Sequence, residues 1–263
     1  MRVYLYALLL LSCLATCKPG SDLGIVPPAF LGKAASELPF RLKAYSYPAY
    51  RKGVIYKATA THQYDAQNRL LRIDSIDTHY TITYRYADNR LTERLYRKDT
   101  ALVYNESFTY NQAGQLAKKV QCYAASATEY TYLYNTDGQL IEQTSNALTY
   151  SSFNRIVYTW KGGNMTYLTN FDANGKRLSE WSFQFDQQPN YKALPVVNPN
   201  PDVPLSRNNQ VSSQLEKDYI GLIDLCVNPF AITYRYLPTG LPIKWTTNGC
   251  STDYNELVFE PKQ

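Results

Sequence analysis

Two stretches of the chain nearly repeat each other: Tyr110–Leu116 reads YNQAGQL and Tyr134–Leu140 reads YNTDGQL. Looser copies are YDAQNRL from Tyr64, FDANGKRL from Phe171, YSSFNRI from Tyr150, YLPTGLP from Tyr236 and the shorter YADNRL from Tyr86. Each copy is an aromatic residue, a four-residue turn and a return strand. Asp65, Asn111, Asn135 and Asp172 open the turn, where a short polar side chain bonds the backbone ahead. Gly114, Gly138, Gly175 and Gly240, with Asn68 and Asn154 as substitutes, close it. That position needs the left-handed conformation of a type I turn followed by a bulge. The aromatic and the Leu then face each other across a hairpin.

The flanking segments carry period-two alternation. Tyr80, Ile82, Tyr84 and Tyr86 alternate with polar residues, as do Tyr130, Tyr132 and Tyr134, then Trp181, Phe183 and Phe185, then Ile232, Tyr234 and Tyr236. One aromatic face and one polar face describe half-buried strands. Opposite-end turns fall near Asp77, Lys98–Thr100, Ser126, Asn146 and Lys161–Gly163. The expectation is a mostly-β, antiparallel up-and-down meander of hairpins, forming a curved or rolled sheet.

The chain has 263 residues, 19% of them charged and 14% aromatic with 25 Tyr, and a formal net charge of +5. The Lys and Arg residues form no run, which gives no footprint for nucleic acid. Residues 1–17 read as an export signal: one Arg, an apolar run from Val3 to Leu14 too short to span a bilayer, then small residues. Leu14-Ala15-Thr16-Cys17 resembles a bacterial lipobox, which implies acylation of Cys17; Leu10-Leu11-Ser12-Cys13 is a second candidate. Residues 18–37 read as a tether and 38–263 as a single β domain. The location expected is the bacterial cell envelope, lipid-anchored in the outer membrane, facing the periplasm or the surface. Cys226 and Cys250 flank the last hairpin, where they either form a disulfide or stay as thiols beside Cys122.

The recurring aromatic–Asp/Asn, two variable residues, Gly, one more, Leu resembles the YD (tyrosine–aspartate) repeat of rearrangement-hotspot and teneurin proteins. With a lipobox and few copies, the chain is most similar to small YD-repeat lipoproteins of Bacteroidota, most of which have no assigned function. The resemblance spans about Tyr56 to Phe185 and Pro229 to Phe259. The copies are too few for the closed shell around a toxin that rearrangement-hotspot proteins build.

Residues 187–212 interrupt the pattern with Pro189, Pro195, Pro199, Pro201 and Pro204, which a central strand does not accommodate. They read as a crossing segment. Ser213-Gln214-Leu215-Glu216 then has the form of a capping box, and Leu215, Tyr219, Leu222, Ile223 and Cys226 follow at helical spacing, predicting one short helix over the sheet.

Signals for catalysis are weak. His62 and His79 lack metal-ligand partners at useful spacing, and there is no nucleophile elbow or phosphate loop, so no catalytic residue, metal or cofactor is assigned. Glu93, Glu106, Glu129, Glu142 and Glu180 recur at similar repeat positions; a converging pair would suit a hydrolase, and solvated sheet faces are the simpler reading. Trp160, beside the Lys161-Gly162 turn, is the candidate ligand-binding residue. The function expected is a non-enzymatic protein-interaction or scaffold module with an envelope protein partner. The alternative is a glycan-binding lipoprotein of a polysaccharide-uptake system, and a carboxylate-pair hydrolase comes third.

Overall fold

A computed structural model describes residues 37–51, 54–146, 154–194, 199–202, 204–218, 230–237, 241–248 and 254–261. Sixteen strands run in chain order and each pairs antiparallel with the next: β1 Phe40–Arg51, β2 Val54–Tyr64, β3 Leu70–Ser75, β4 Tyr80–Ala87, β5 Arg90–Lys98, β6 Ala101–Tyr110, β7 Leu116–Tyr123, β8 Ser126–Tyr134, β9 Leu140–Ser145, β10 Arg155–Lys161, β11 Asn164–Phe171, β12 Arg177–Pro189, β13 Asn208–Asp218, β14 Phe230–Tyr236, β15 Pro242–Asn248 and β16 Tyr254–Pro261. β16 then pairs with β1, Leu42 opposite Phe259, and the sheet closes into a barrel. The up-and-down antiparallel order matches the sequence reading. The open, curved or rolled sheet does not: closure leaves no unpaired edge, and a long all-antiparallel meander removes its edge hazard that way.

The repeated phrase builds the hairpins as its residue types require. Tyr64, Tyr86, Tyr110 and Tyr134 face Leu70, Leu91, Leu116 and Leu140, each across a register shift. Gly114 and Gly138 sit at φ of +80° and +77°, and Asn68 takes the same region at +63°. Asn111 Oδ1 accepts from the Gln115 amide at 2.9 Å, and Asp65 Oδ1 from the Arg69 amide at 2.8 Å, closing both turns from within.

The structure also explains why the phrase begins with Tyr and ends with Leu. The Tyr64 hydroxyl donates to the Leu42 carbonyl, Tyr86 to Leu70 and Tyr110 to Leu91, all at 2.8 Å. At Tyr134 the direction is reversed, the Leu116 backbone N–H donating to its hydroxyl, and at the fifth step Trp160 Nε1 donates to the Leu140 carbonyl at 2.7 Å. Each aromatic ties its hairpin to the one before it. A buried phenol or indole needs such a partner, and the register shift beside each turn supplies one by freeing a backbone group. The leucines sit with these rings in the buried clusters.

Two expectations on the chain's second half are corrected. β9, ending at Ser145, pairs directly with β10, starting at Arg155, where the sequence suggests two turns, near Asn146 and after Tyr150; residues 147–153 lie outside the described residues. Strand count therefore slips by one. The Phe171 phrase lies at the opposite end of the barrel from the Tyr64–Tyr134 phrases, and the Lys161–Gly163 turn joins those phrases at their end. Over Ser213–Asp218 the expected helix is instead the second half of β13, with Ser213 opposite Phe183 on β12, and Tyr219, Leu222, Ile223 and Cys226 lie outside the described residues. Closing the wall requires that strand, and its demand overrides a local capping signal. Within 187–212, Pro189 ends β12 and β13 already starts at Asn208, so the crossing segment is shorter than expected.

Candidate functional site

The crossing segment lies inside the barrel. Tyr191 and Leu194, on and after a 3₁₀ turn (Tyr191–Ala193), pack with Leu42, Leu257 and Trp245 on β1, β16 and β15. Asn200 Oδ1 accepts from Arg94 on β5 at 2.6 Å, and Asp202 Oδ2 accepts from Lys119 on β7 at 2.6 Å. Ser206 Oγ accepts from the Met165 amide on β11 at 2.9 Å. These strands lie far apart around the wall, and one short segment reaches all of them only through the lumen. We call it the plug. It enters at the end that carries the Tyr64–Tyr134 phrase turns, here the phrase end; the other is the far end.

The plug is pinned at its base. Asp186 on β12 accepts from the Tyr236 hydroxyl and, at Oδ1, from the Asn209 amide at 3.2 Å, while Asn209 Oδ1 accepts from the Tyr191 amide at 3.1 Å. Burial raises the Asp186 carboxyl above its ordinary pKa, and these donors pull the other way. Arg207 N–H returns to the Gly163 carbonyl at 2.9 Å, holding the exit of the plug on the β10–β11 turn.

Its tip completes a buried charge cluster. On the wall, Glu106 accepts from Arg94 and lies 3.5 Å from Lys119 Nζ. The wall alone carries two cations and one carboxylate; Asp202 brings the second carboxylate and balances the set. Burial opposes the Arg94 charge, yet Glu106 and Asp202 outweigh it and hold its pKa above the ordinary value. Such a network is costly to form and more costly to break singly.

Beside the plug, Tyr134, Leu140, Trp160, Pro201, Pro204 and Leu205 line a cavity of about 250 Å³ at the phrase end. Trp160, singled out from the sequence for its position at a turn, is thus placed on two counts: its N–H edge is tied to Leu140, and its ring lines the cavity. It lies at the phrase end and not at the opposite end expected for it. Cys17, Cys226 and Cys250 lie outside the described residues; Cys122 is a free, half-buried thiol on β7.

The carboxylates do not converge. Glu93, Glu129, Glu142 and Glu180 pair with Arg85, Lys118, Arg155 and Arg177 on the outer wall, and Glu106 is held by the lumenal cations. His62 points inward with Nδ1 unpartnered, and burial pushes its pKa down to about 4, so it is neutral at neutral pH. Among the described residues no group of three or more His, Cys, Asp or Glu could hold a metal ion. The plug and its clamp leave no trace in local sequence pattern, since they join residues about a hundred positions apart; the prolines signalled the excursion but not its direction.

The outer wall is polar and charged. Arg72 pairs with Asp74 at 2.7 Å, Arg85 with Glu93 at 2.7 Å, Arg155 with Glu142 at 3.1 Å and Lys57 with Glu256 at 2.5 Å, and Lys118 pairs with Glu129. Along these strands the alternating aromatics face in and these ion pairs face out; Leu71, Leu133, Tyr167 and Val258 are exposed among them, and the Arg94–Glu106–Lys119 cluster faces the lumen.

No family model and no curated protein matches the chain. Among solved structures, a porin-like protein from Bacteroides uniformis superposes with a TM-score of 0.57 at 13% identity, covering 87% of this chain and 98% of that one. A porin-like protein from Bacteroides vulgatus matches at a TM-score of 0.38 and 10% identity, over 84% and 99% of the two chains. A Photorhabdus luminescens Tc holotoxin pore matches at 0.36 and 17%, over 81% of this chain and 12% of that one. At these identities the first likeness shows a shared fold, and the other two carry no argument.

Proposed function

We propose that this chain is an extracytoplasmic, lipid-anchored β-barrel that stands in water and works by binding, not by catalysis. One observation carries the reading: the outer wall carries the ion pairs of Arg72, Arg85, Lys118 and Arg155, while the alternating aromatics of the strands face the lumen. A bilayer-spanning barrel needs the reverse, an outward apolar band; a single Lys or Arg facing lipid at midplane costs about 2–4 kcal/mol. The porin-like fold is therefore retained without the porin-like surface. The export signal and the Leu14–Cys17 motif support attachment by acyl chains instead, and the binding partner is an envelope protein. Replacing Cys17 by Ala in the exported chain is expected to turn membrane attachment that needs detergent for release into attachment that an alkaline carbonate wash reverses. A chain that stays in the membrane until detergent dissolves the bilayer, with Cys13 and Cys17 both replaced, would contradict the reading.

A second reading has its own observation. The Trp160 ring, Tyr134 and two prolines line a small cavity beside the plug, a chemistry that suits the apolar face of a sugar ring. A ligand of the folded state raises the melting temperature. A glycan panel that shifts it, with the shift lost in Trp160→Phe, would favour this glycan reading over a protein partner.

A further inference from the structure

Exposed large apolar side chains occur singly on the wall, at Leu71, Leu133, Tyr167 and Val258, and gather at the far end of the barrel. Ile76, in the β3–β4 turn, is 80% exposed; Val54, at the start of β2, is 63% exposed; Leu102, at the start of β6, is 51% exposed; Tyr123, at the end of β7, is 46% exposed. All four lie on one arc. The Tyr56 hydroxyl reaches the Asp77 carbonyl, and the Asp99 amide donates to the His79 carbonyl at 2.6 Å, so neighbouring far-end turns touch. At the phrase end the corresponding exposed turn residues include Gln67, Asp88, Asn89, Gln112 and Asp137.

Behind that arc stands a row of tyrosines. Rings of Tyr80, Tyr96, Tyr104 and Tyr123 follow one another across β4 to β7 with centroids 5.7, 5.0 and 5.5 Å apart. The hydroxyls of Tyr96, Tyr104 and Tyr123 have no hydrogen-bond partner among the described residues. Protruding aliphatic tips with a row of rings behind them match the chemistry of a membrane–water boundary, where apolar tips enter the acyl edge and phenols sit at headgroup level.

We propose that the far-end rim of β2–β7 is the face with which this barrel rests on a phospholipid membrane, Ile76 and Leu102 entering the acyl–headgroup boundary. The inference rests on the anchored reading for bringing a bilayer within reach. Reach is sufficient: the segment from Lys18 to Glu37 spans at most about 70 Å, against about 30 Å for a nine-residue strand. The barrel can therefore turn its far end to the membrane although β1 starts at the phrase end.

The test uses the chain from Lys18, which contains all sixteen strands and no anchor, so its outcome is separate from that of the Cys17 replacement. It is sedimented with vesicles of zwitterionic phospholipid and with vesicles containing anionic phospholipid, at low and high salt. The expected result is binding to both that survives high salt and falls about tenfold for each side chain in Ile76→Asp and Leu102→Asp. Gln112→Asp at the phrase end should bind as the parent does, and all variants should melt alike. Three results would overturn the proposal: no binding to either vesicle, binding lost at high salt, or binding indifferent to Ile76→Asp and Leu102→Asp. A dimer that Ile76→Asp converts to monomer would also overturn it, assigning the rim to a second copy.

Discussion

The two ends of the barrel use the same residue type for opposite purposes. At the phrase end, Tyr64, Tyr86 and Tyr110 spend their hydroxyls on a carbonyl of the preceding strand or hairpin, Tyr134 bonds the Leu116 backbone, and Trp160 donates its indole N–H to the Leu140 carbonyl. At the far end, Tyr96, Tyr104 and Tyr123 pack ring against ring. Turn tips are polar at the first end and include exposed aliphatics at the second. A tyrosine's role in this fold is thus set by what its hydroxyl reaches: where it reaches the backbone of the preceding hairpin the ring is a fastener, and where it does not the ring packs on its neighbours.

The largest way to break that contrast is to cut the clamp that fills the phrase half of the lumen. Lys119→Met leaves Glu106 and Asp202 buried with one cation fewer. It is expected to cost about 3–5 kcal/mol, read as a lower midpoint in denaturant. Replacing Asp202 by Asn in the same background should restore part of the loss.

Next comes pH. Burial holds His62 down at about 4, below the ordinary 6.5, so the unfolded chain binds the proton more readily. Stability from this site is fully present above pH 6.5 and falls as pH drops toward 4. Between pH 6.5 and 5 the loss is about 2 kcal/mol. Thermal unfolding across that window checks it, and His62→Phe should flatten the profile.

The contrast itself is sharpened by paired substitutions. Tyr110→Phe removes a hydroxyl bonded to the Leu91 carbonyl and is expected to cost about 1–2 kcal/mol. Tyr104→Phe removes a hydroxyl that makes no hydrogen bond among the described residues and should change stability by less than about 0.5 kcal/mol. Equal effects at the two ends would erase the distinction drawn here. Smallest of all is Arg85→Ala on the outer wall, whose exposed pair with Glu93 contributes about 0–1 kcal/mol.

Much of the wall was legible in the sequence because it is made of local rules. Gly114 and Gly138 mark turns, the Tyr80–Tyr86 alternation marks a strand, and the phrase marks hairpins. What was not legible is what joins distant positions. Closure depends on β1 meeting β16, and neither end of the chain advertises its partner. The clamp depends on Asp202 meeting Lys119. The Tyr150 copy shows the limit of reading a degenerate copy as a full one: β9 pairs directly with β10, and Arg155 and Ile156 of YSSFNRI already belong to β10. The helix expected at Ser213 failed for a related reason, since a capping box is local and the wall's need for another strand is not. Of the candidate site, the sequence supplied Trp160, whose ring lines the cavity beside the plug; the cavity and the lumenal clamp beyond it needed the fold.

The account's central claim is that a porin-like wall here faces water. The most direct measurement is the behaviour of the chain from Lys18 in detergent-free buffer, by sedimentation and circular dichroism, with planar-bilayer recording on the same preparation. The prediction is a folded, monodisperse β protein that produces no conductance steps. A chain that aggregates until detergent is added, and then opens channels in a bilayer, would contradict it.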